Sequence, residues 1–235
     1  MRVYYFTGAL FALSNVSLRR VKVSRFEDLN DPFELLGVDR GNKVRRAAFL
    51  EKKKEINGEK GLICFSKSWE NPLLWGHYAE RHTGVCMGFD VPDHLLGEVI
   101  YAKGLLKIDE DQETGSFKIT DSVLERLIRT KFADWKYEEE MRLFVALDEA
   151  KGESGMYFYP FSGDLALREI ILGPRCELPV AGIQSMIGNL EQPVKVLKSR
   201  IAFRTYRVVK DIGVKRASAV PKRHRSVRPR QRSIG

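Results

Sequence analysis

The sequence predicts an α+β fold built on a mostly antiparallel β-sheet, and three observations lead to this prediction. Many short apolar or alternating segments are typical of strands. A few segments with helical spacing lie among them in irregular order, whereas a doubly wound parallel sheet needs regular alternation of strand and helix. Neither a dinucleotide-binding glycine fingerprint nor a Walker A loop is present. The 235 residues, 43% hydrophobic and 30% charged, suffice for one domain with a single core.

The boundaries of the predicted elements follow from periodicity and from residues that start or stop helices. VSLRRVKV alternates as a strand does, and Asn57-Gly58 ends a basic helical segment. Asp31 precedes Pro32, which disfavours a helix there and indicates a turn. The predicted strands are residues 3–6, 16–23, 61–66, 85–89, 99–101, 138–147, 156–161, 169–172, 194–197 and 201–208. The predicted helices are residues 8–13, 43–56, 71–82, 120–132 and 179–190, with a loop over residues 109–115.

Cysteine and histidine usage indicates a reducing compartment and predicts no metal site. Cys64, Cys86 and Cys176 are odd in number and scattered through apolar runs, as buried reduced thiols of a cytoplasmic protein are. No CxxC pair occurs, and the histidines lack metal-ligand spacing. No apolar run reaches about 18 residues, so no transmembrane helix is expected. The opening MRVYYFTGALFALS has no small-residue cleavage site, which argues against a secretory signal.

Positive charge is concentrated at the C-terminus. Of the net charge of +9, eight positive charges lie between Lys215 and Arg232, where no acid occurs. Prolines and serines among these charges predict a disordered basic tail over residues 211–235, after a single domain over residues 1–210. Such a tail could bind nucleic acid or an anionic membrane by releasing counterions. A solvated extension with weak, nonspecific affinity is the alternative, and the sequence leaves both open. It gives no indication of oligomeric state.

The first group of residues suited to chemistry lies in WKYEEEMR. On a strand, Glu138, Glu140 and Arg142 would share one side. If that side lines a cleft, the guanidinium would hold a carboxylate in place and keep it ionised. The alternative is an exposed strand face carrying a salt bridge worth less than about 1 kcal/mol, and spacing alone favours it.

Two further segments carry candidate binding residues. Asn30 and Asp31 could offer an amide and a carboxylate to a ligand, although a turn pinned by these side chains is the favoured interpretation. In the helix predicted over residues 71–82, Asn71 is a suitable N-cap and Pro72 suits the first turn.

The aromatic and histidine side chains of this helix divide into structural and ligand-facing groups. We expect Trp75 to be structural and His82 to close the helix. His77 and Tyr78 are expected to face a ligand. Ser66, at the end of the preceding strand, should lie close to the helix N-terminus, a place where anions bind. No glycine elbow surrounds this serine, so a Ser-His-Asp triad is not indicated.

Several motifs, taken in order, carry a family resemblance: YYF, FEDLNDPFE, ICFSKSWENPLLWGHYAERHTGVCMGF, the Tyr101 segment, WKYEEEMR and ILGP. Over about residues 3–175 the chain resembles a widespread bacterial family catalogued only as a domain of unknown function, number two-nine-seven-one. This resemblance implies little biochemistry.

More distantly, the chain resembles ADP-ribosyltransferases. That resemblance implies a split β-sheet holding NAD between a first strand with Tyr5 or Thr7, a middle strand with Ser66, and a later glutamate. It implies that Glu140 or Glu138 binds the ribose 2′-hydroxyl and stabilises the oxocarbenium-like centre. Tyr78 or Trp75 would stack on nicotinamide, and Arg142 or an N-terminal basic residue would neutralise the pyrophosphate.

The expected function is therefore that of an NAD-consuming transferase or glycohydrolase, in a toxin or phage-defence setting. NAD would be a co-substrate. One alternative is a non-catalytic nucleic-acid-binding or sensor module that uses the basic tail. Another is a hydrolase acting on a different nucleotide or on nucleic acid.

Overall fold

The computed structural model of the chain describes residues 1–107, 119–148, 150–188, 190 and 192–213. Over these residues the α-helices are α1 Ala9–Leu18, α2 Lys43–Glu59, α3 Pro72–Tyr78, α4 Asp121–Leu127 and α5 Val180–Ile187. The strands are β1 Arg2–Thr7, β2 Arg20–Val23, β3 Lys60–Ser66, β4 Val85–Asp90, β5 Leu96–Glu98, β6 Ile100–Ala102, β7 Thr130–Phe132, β8 Glu140–Ala146, β9 Lys151–Glu153, β10 Met156–Pro160, β11 Ala166–Leu172, β12 Lys195–Ile201 and β13 Val208–Lys210. The predicted loop over residues 109–115 and most of the predicted basic tail lie outside the described residues.

The main sheet has eight strands in the order β13-β12-β11-β4-β1-β3-β8-β5. The β11–β12 pair is parallel, and the other neighbours in this sheet are antiparallel. A three-stranded antiparallel sheet, β2-β10-β9, and a parallel pair, β6-β7, complete the described strands. The prediction of an α+β fold with a mostly antiparallel sheet is thus confirmed.

The main sheet opens between β1 and β3. These two strands are in register at a single pair, Tyr4 opposite Ser66. By contrast, β1 pairs with β4 along its full length, and β3 pairs with β8 from Lys60 to Ser66. No register pair joins the rest of β1, from Tyr5 onwards, to the part of β3 that precedes Ser66, so the two strands diverge there.

The two faces of the main sheet are covered differently. One face forms a continuous apolar core with α1, α5 and the three-stranded sheet, and it includes Val3, Ile63 and Leu143. On the opposite face the buried apolar residues form two separate clusters. Phe26, Phe49 and Leu62 belong to the cluster under α2 and α4, and Trp75 belongs to the cluster under α3. The β1–β3 opening lies between these clusters and is lined by both apolar and polar side chains.

The strand predicted over residues 16–23 is wrong in its first half. Helix α1 continues to Leu18, because Ala12 and Val16 are buried at helical spacing on the sheet. Arg19 ends the helix with a φ of 51°, and its N–H reaches the carbonyls of Asn15 and Val16. Periodicity over so short a segment could not separate the two structures, since burial along a helix and alternation along a strand overlap there.

Three other predicted boundaries are also wrong. The helix predicted over residues 120–132 ends at Leu127, and the chain then forms β7, whose partner β6 is distant in sequence. Helix α3 ends at Tyr78, because Glu80, Arg81 and His82 all have positive φ. Much of the strand predicted over residues 201–208 is a hairpin connection, with β13 beginning at Val208.

Candidate functional site

A cavity of about 210 Å³ lies where β1 and β3 diverge. Its walls come from both strands, from the start of β8, from α3 and from the segment after β2. The lining residues are Tyr4, Tyr5, Phe6, Lys22, Ser24, Asp28, Leu29, Asn30, Glu34, Ile63, Cys64, Phe65, Ser66, Leu74, Tyr78, Lys131, Glu138, Glu140 and Arg142. Aromatic rings on β1 and acidic groups on β8 therefore face the same space.

Arg142 organises the acidic wall. It lies on β8 with no solvent exposure, and all five of its N–H groups have acceptors. Nε and Nη2 donate to Glu140 at 2.8 and 3.4 Å, and Nη2 also donates to Glu34 at 3.1 Å. Nη1 donates to Glu34 and to the carbonyl of Ile128, at 2.5 and 2.6 Å. Arg142 therefore has no donor left for a ligand.

Lys131 is the second cation of the wall. Its ammonium lies 2.5 Å from Glu138 and 3.1 Å from Glu140, and all three side chains are buried. The ammonium also lies 4.8 Å from the centre of the Trp135 ring, a favourable cation–π distance. Together with Arg142 and Glu34, these residues form a buried network of three carboxylates and two cations, which we call the acid network. Burial of so many charges is stable only because each is paired.

Tyr78 connects helix α3 to this network. Its hydroxyl donates a hydrogen bond to Glu138 Oε1. Burial, together with the adjacent Glu138 charge, raises the pKa of Tyr78 far above its ordinary value, so the phenol stays protonated. The tyrosine is thus a fixed hydrogen-bond donor at the cavity wall.

The carboxylates of the network have pKa values shifted in opposite directions. Burial opposes ionisation of Glu140, but the charges of Arg142 and Lys131 outweigh it and lower the Glu140 pKa to about 2. Burial raises the pKa of Glu138, and the attraction of Lys131 does not cancel this effect. The Glu34 pKa is likewise raised by burial, against the attraction of Arg142. Carboxylates with divergent pKa values in one cavity are a common feature of functional sites.

The backbone around Glu139 explains why both neighbouring glutamates point inwards. Residues 133–138 form a 3-10 turn, Glu139 has a φ of 45°, and β8 begins only at Glu140. The strand therefore starts two residues later than predicted, and Glu139 is exposed instead of lying on the apolar side. The Tyr101 hydroxyl accepts a 2.8 Å hydrogen bond from the Glu140 N–H and holds the start of β8.

A turn in the NDPFE segment places Glu34 in the acid network. Asp31 Oδ1 accepts from the N–H of Phe33 at 2.9 Å, and the Asp31 carbonyl accepts from the N–H of Glu34 at 3.0 Å. Asp31 is buried and outside the cavity lining, which agrees with the turn interpretation. Its neighbour Asn30 does line the cavity.

The structure brings most of the candidate residues together. Those that line the cavity are Glu138, Glu140, Ser66, Tyr78, Tyr5, Asn30 and Arg142. Thr7 and His77 do not. Thr7 is buried at the end of β1. His77 is exposed, with its ring centre 6.1 Å from that of Tyr137.

Trp75 and His82 have structural surroundings. Trp75 is fully buried, packs edge-on against Phe6 and donates from Nε1 to the Trp69 carbonyl at 2.6 Å. Its predicted structural role is confirmed, and the indole is not available to stack on a ligand. His82 does not cap α3 with its ring; its backbone N–H instead donates to the Trp75 carbonyl at 3.0 Å. Ser66 Oγ accepts from the N–H of Ser68 at 3.3 Å, on the segment that leads to α3.

The sequence did not indicate Lys131 as a site residue, and the spacing of the acids favoured an exposed position although they are buried. Lys131 fell in a predicted helix and lay outside any motif, so only its pairing in β7 reveals it. The exposed strand face that spacing favoured is wrong, because Glu138, Glu140 and Arg142 are all buried. Glu34 stood in the NDPFE motif, but nothing local indicated a partner 108 residues away.

Among the described residues, no group of three or more His, Cys, Asp or Glu side chains is arranged to hold a metal ion. No helix in that part of the chain is long and apolar enough to cross a membrane. No family model, curated protein or solved structure matches the chain.

Proposed function

We propose that this protein cleaves the N-glycosidic bond of NAD and passes ADP-ribose to water or to an acceptor. The observation that supports this most directly is the composition of the acid network, which sets three carboxylates against two cations in a cavity wall. When all five groups are ionised, the wall carries one excess negative charge. In a site with little water, such a charge stabilises a positive charge that develops on a substrate.

NAD matches this wall because its nicotinamide ring is a pyridinium cation while it is attached to ribose. The rings of Tyr4, Tyr5, Phe6 and Tyr78 line the same cavity, and an aromatic surface attracts such a cation. The volume of about 210 Å³ lies below the roughly 300 Å³ of sites that enclose drug-sized ligands. The proposal is therefore that the nicotinamide and its ribose enter the cavity and the rest of NAD lies outside it.

Glu138 is the carboxylate proposed to touch the ribose. Each of its oxygens accepts one hydrogen bond, from Tyr78 or from Lys131, so lone pairs remain for a sugar hydroxyl. Its raised pKa means that the ionised form lacks full compensation in the free protein. A cationic sugar ring beside it would supply that compensation, and more so in the transition state than in the ground state.

In the proposed step, the bond between ribose C1′ and the nicotinamide nitrogen breaks, and its electron pair leaves with the nitrogen. The ring becomes neutral and the positive charge moves to the ribose. An oxygen of water or of an acceptor then forms a bond to C1′, and the proton it loses passes to the Glu138 carboxylate or to solvent. Tyr78 keeps this carboxylate oriented.

Glu140 and Arg142 take positioning roles in this proposal. Both Glu140 oxygens already accept hydrogen bonds from Lys131 or Arg142. Arg142 has no free donor for a pyrophosphate. Lys22, an exposed cation on β2 that lines the cavity, is better suited to that role. The divergence of β1 and β3 also supports the proposal, because the resemblance to ADP-ribosyltransferases implies a sheet split around NAD.

The test compares three adjacent glutamates in an assay of nicotinamide release from NAD. Glu138→Gln should lower kcat by about 100-fold or more, since it removes the charge that stabilises the transition state. Glu139→Gln, on an exposed residue between the two buried ones, is the matched control and should keep full activity. Tyr78→Phe should lower kcat by a smaller factor, because Glu138 loses one of its two hydrogen bonds.

Candidate acceptors, namely protein, DNA and RNA, are included in parallel reactions. No nicotinamide release by the unaltered protein under any of these conditions would overturn the proposal. Binding of NAD without turnover would indicate that the same cavity serves a sensor. Equal activity of Glu138→Gln and Glu139→Gln would show that the acid network only stabilises the fold.

A further inference from the structure

A second functional surface lies on the connection between β12 and β13, which we call the 201–207 hairpin. The Ala202 N–H donates to the Arg207 carbonyl at 2.9 Å and closes this hairpin. Phe203 and Tyr206 project from it with 88% and 98% of their surface exposed. Two aromatic side chains so exposed on one short hairpin are unusual, because large apolar groups normally gain free energy from burial.

The hairpin is held firmly in place despite its exposed tip. The N–H of Val208, which is fully buried under α3, donates to the Glu70 carbonyl at 2.8 Å. Arg207 forms an ion pair with the Glu70 carboxylate at 3.0 Å. The exposed rings are therefore presented on an anchored support.

The segment of the sequence that carries the two rings is strongly basic. From Lys195 to the C-terminus the sequence has 14 of the 40 Lys and Arg and one of the 31 acids, Asp211. This segment thus contributes +13, and the preceding 194 residues contribute −4. Arg204 lies between Phe203 and Tyr206 in the sequence, is exposed, and has no ion-pair partner among the residues described.

Arg200 packs against one face of the Phe203 ring. Its guanidinium lies over the Phe203 ring, 4.2 Å from the centre, which covers one face and leaves the rest of the exposed ring open. A flat group stacked on the open face would complete a sandwich of guanidinium, ring and ligand. Cation–π contacts of this kind strengthen stacking of nucleobases.

We infer that the 201–207 hairpin binds single-stranded nucleic acid. Bases stack on Phe203 and Tyr206, and Arg204 with Lys210 contacts the phosphates. Alternating aromatic and basic groups are what single-strand binding surfaces need, because each unpaired base offers a flat face and each nucleotide carries a charge. Duplex bases are already stacked on one another, so the rings would gain nothing from a double strand. A second copy of this chain is a poor occupant, since two segments of charge +13 repel each other.

The experiment measures binding of the full-length protein to fluorescent oligonucleotides of about 12 residues, a length within the usual range for one site. Single-stranded and duplex probes of the same sequence are compared over a series of salt concentrations. The unaltered protein should bind the single strand more tightly. Replacing both rings, Phe203→Ala with Tyr206→Ala, should weaken single-strand binding by at least about fivefold and leave the salt dependence unchanged. Arg204→Gln should reduce the salt slope by about 0.7, the value for one phosphate contact.

Two controls separate stacking from other effects. Phe203→Leu with Tyr206→Leu keeps apolar surface but removes the flat faces, and should bind as weakly as the alanine pair. Phe203→Tyr with Tyr206→Phe should restore binding. Phe11→Ala removes an aromatic ring that is 66% exposed on α1, remote in sequence, and should have no effect.

Other results would overturn the inference. They are equal binding by the alanine pair and the unaltered protein, an equal loss caused by Phe11→Ala, or no preference for single strands. Size-exclusion chromatography provides a further check: a dimer that the alanine pair dissociates, with oligonucleotide binding unchanged, would assign the hairpin to self-association. None of these measurements depends on NAD turnover, so they stand apart from the proposed function.

Discussion

At the scale of single residues, two glutamates of the acid network have opposite effects on the stability of the fold. Glu140 touches both cations, and its low pKa means that the folded protein stabilises its ionised form. Of the two cations Glu138 contacts only Lys131, and its raised pKa means that the folded protein disfavours its ionised form. A group that costs stability while ionised is a better candidate for function than one that stabilises the fold.

This difference predicts opposite stability changes at neutral pH. Glu140→Gln should lower the free energy of unfolding by about 3–5 kcal/mol, because it removes the carboxylate that pairs with both cations. Glu138→Gln should leave the free energy of unfolding unchanged or raise it, because it removes a charge that the folded state disfavours. Urea unfolding at pH 7 measures both, with Glu139→Gln as the exposed control. A larger loss for Glu138→Gln than for Glu140→Gln would contradict the assignment of roles.

The low pKa of Glu140 also predicts how the stability of the protein depends on pH. Because the folded-state pKa of Glu140 is about 2, below its ordinary value of 4.5, its contribution is fully present above about pH 4.5. That contribution is lost as the pH falls towards 2. The free energy of unfolding of the unaltered protein should therefore decrease over this range. In Glu140→Gln the decrease should be smaller, and an unchanged acid limb would show that other carboxylates dominate it.

At the scale of secondary-structure elements, one N-cap residue both begins a helix and connects that helix to another element. Asn42 Oδ1 accepts from the N–H of Val44 at 2.8 Å at the start of α2. Asn71 Oδ1 accepts from the N–H of Leu73 at 3.0 Å at the start of α3. In addition, Asn71 Nδ2 donates to the Tyr137 carbonyl at 3.0 Å, next to Glu138. One asparagine thus joins the helix that carries Tyr78 to the turn that carries Glu138.

The two asparagines form a matched pair for mutation. Asn42→Ala should cost about 1 kcal/mol of unfolding free energy, the usual value for an N-cap. Asn71→Ala should cost about 2 kcal/mol or more, because the hydrogen bond between α3 and the 3-10 turn is lost as well. Denaturant unfolding compares them directly, and equal costs would mean that the bond to Tyr137 contributes little.

At the scale of the whole molecule, charge is divided between a slightly acidic body and a strongly basic C-terminal segment. The three apolar clusters of the described residues are drawn from residues 3–208, whereas eight of the basic side chains lie in residues 214–235. Folding and anion binding are therefore expected to depend on different parts of the chain.

Deletion of residues 214–235 tests this division. It removes eight Lys and Arg and no acid. The free energy of unfolding in urea should stay the same, whereas the salt slope for oligonucleotide binding should become shallower. Preference for single strands should survive, because the 201–207 hairpin remains. A clear fall in unfolding free energy would show that these residues pack on the domain.

Local patterns were sufficient for part of this fold. The strands of residues 61–66 and 85–89 were predicted within one residue of β3 and β4, because continuous apolar runs between turn signals leave few alternatives. Asn71 and Pro72 likewise marked the start of α3, since capping is a local interaction. The sequence also pointed to Glu138, Glu140 and Tyr78 as residues of interest.

Only the tertiary structure decided how these residues are combined. Glu34 and Lys131 come from segments separate from the one that carries Glu138 and Arg142, and each could be buried only when its partners were also in place. Likewise β7 became a strand because β6 lies beside it, and the exposed rings of the 201–207 hairpin followed from the pairing of β12 with β13. The sequence by itself determined which groups carry the charge and where local elements begin. Long-range pairing determined which of those groups meet, because the local sequence does not specify which distant residue will be the partner in an ion pair or in a strand pair.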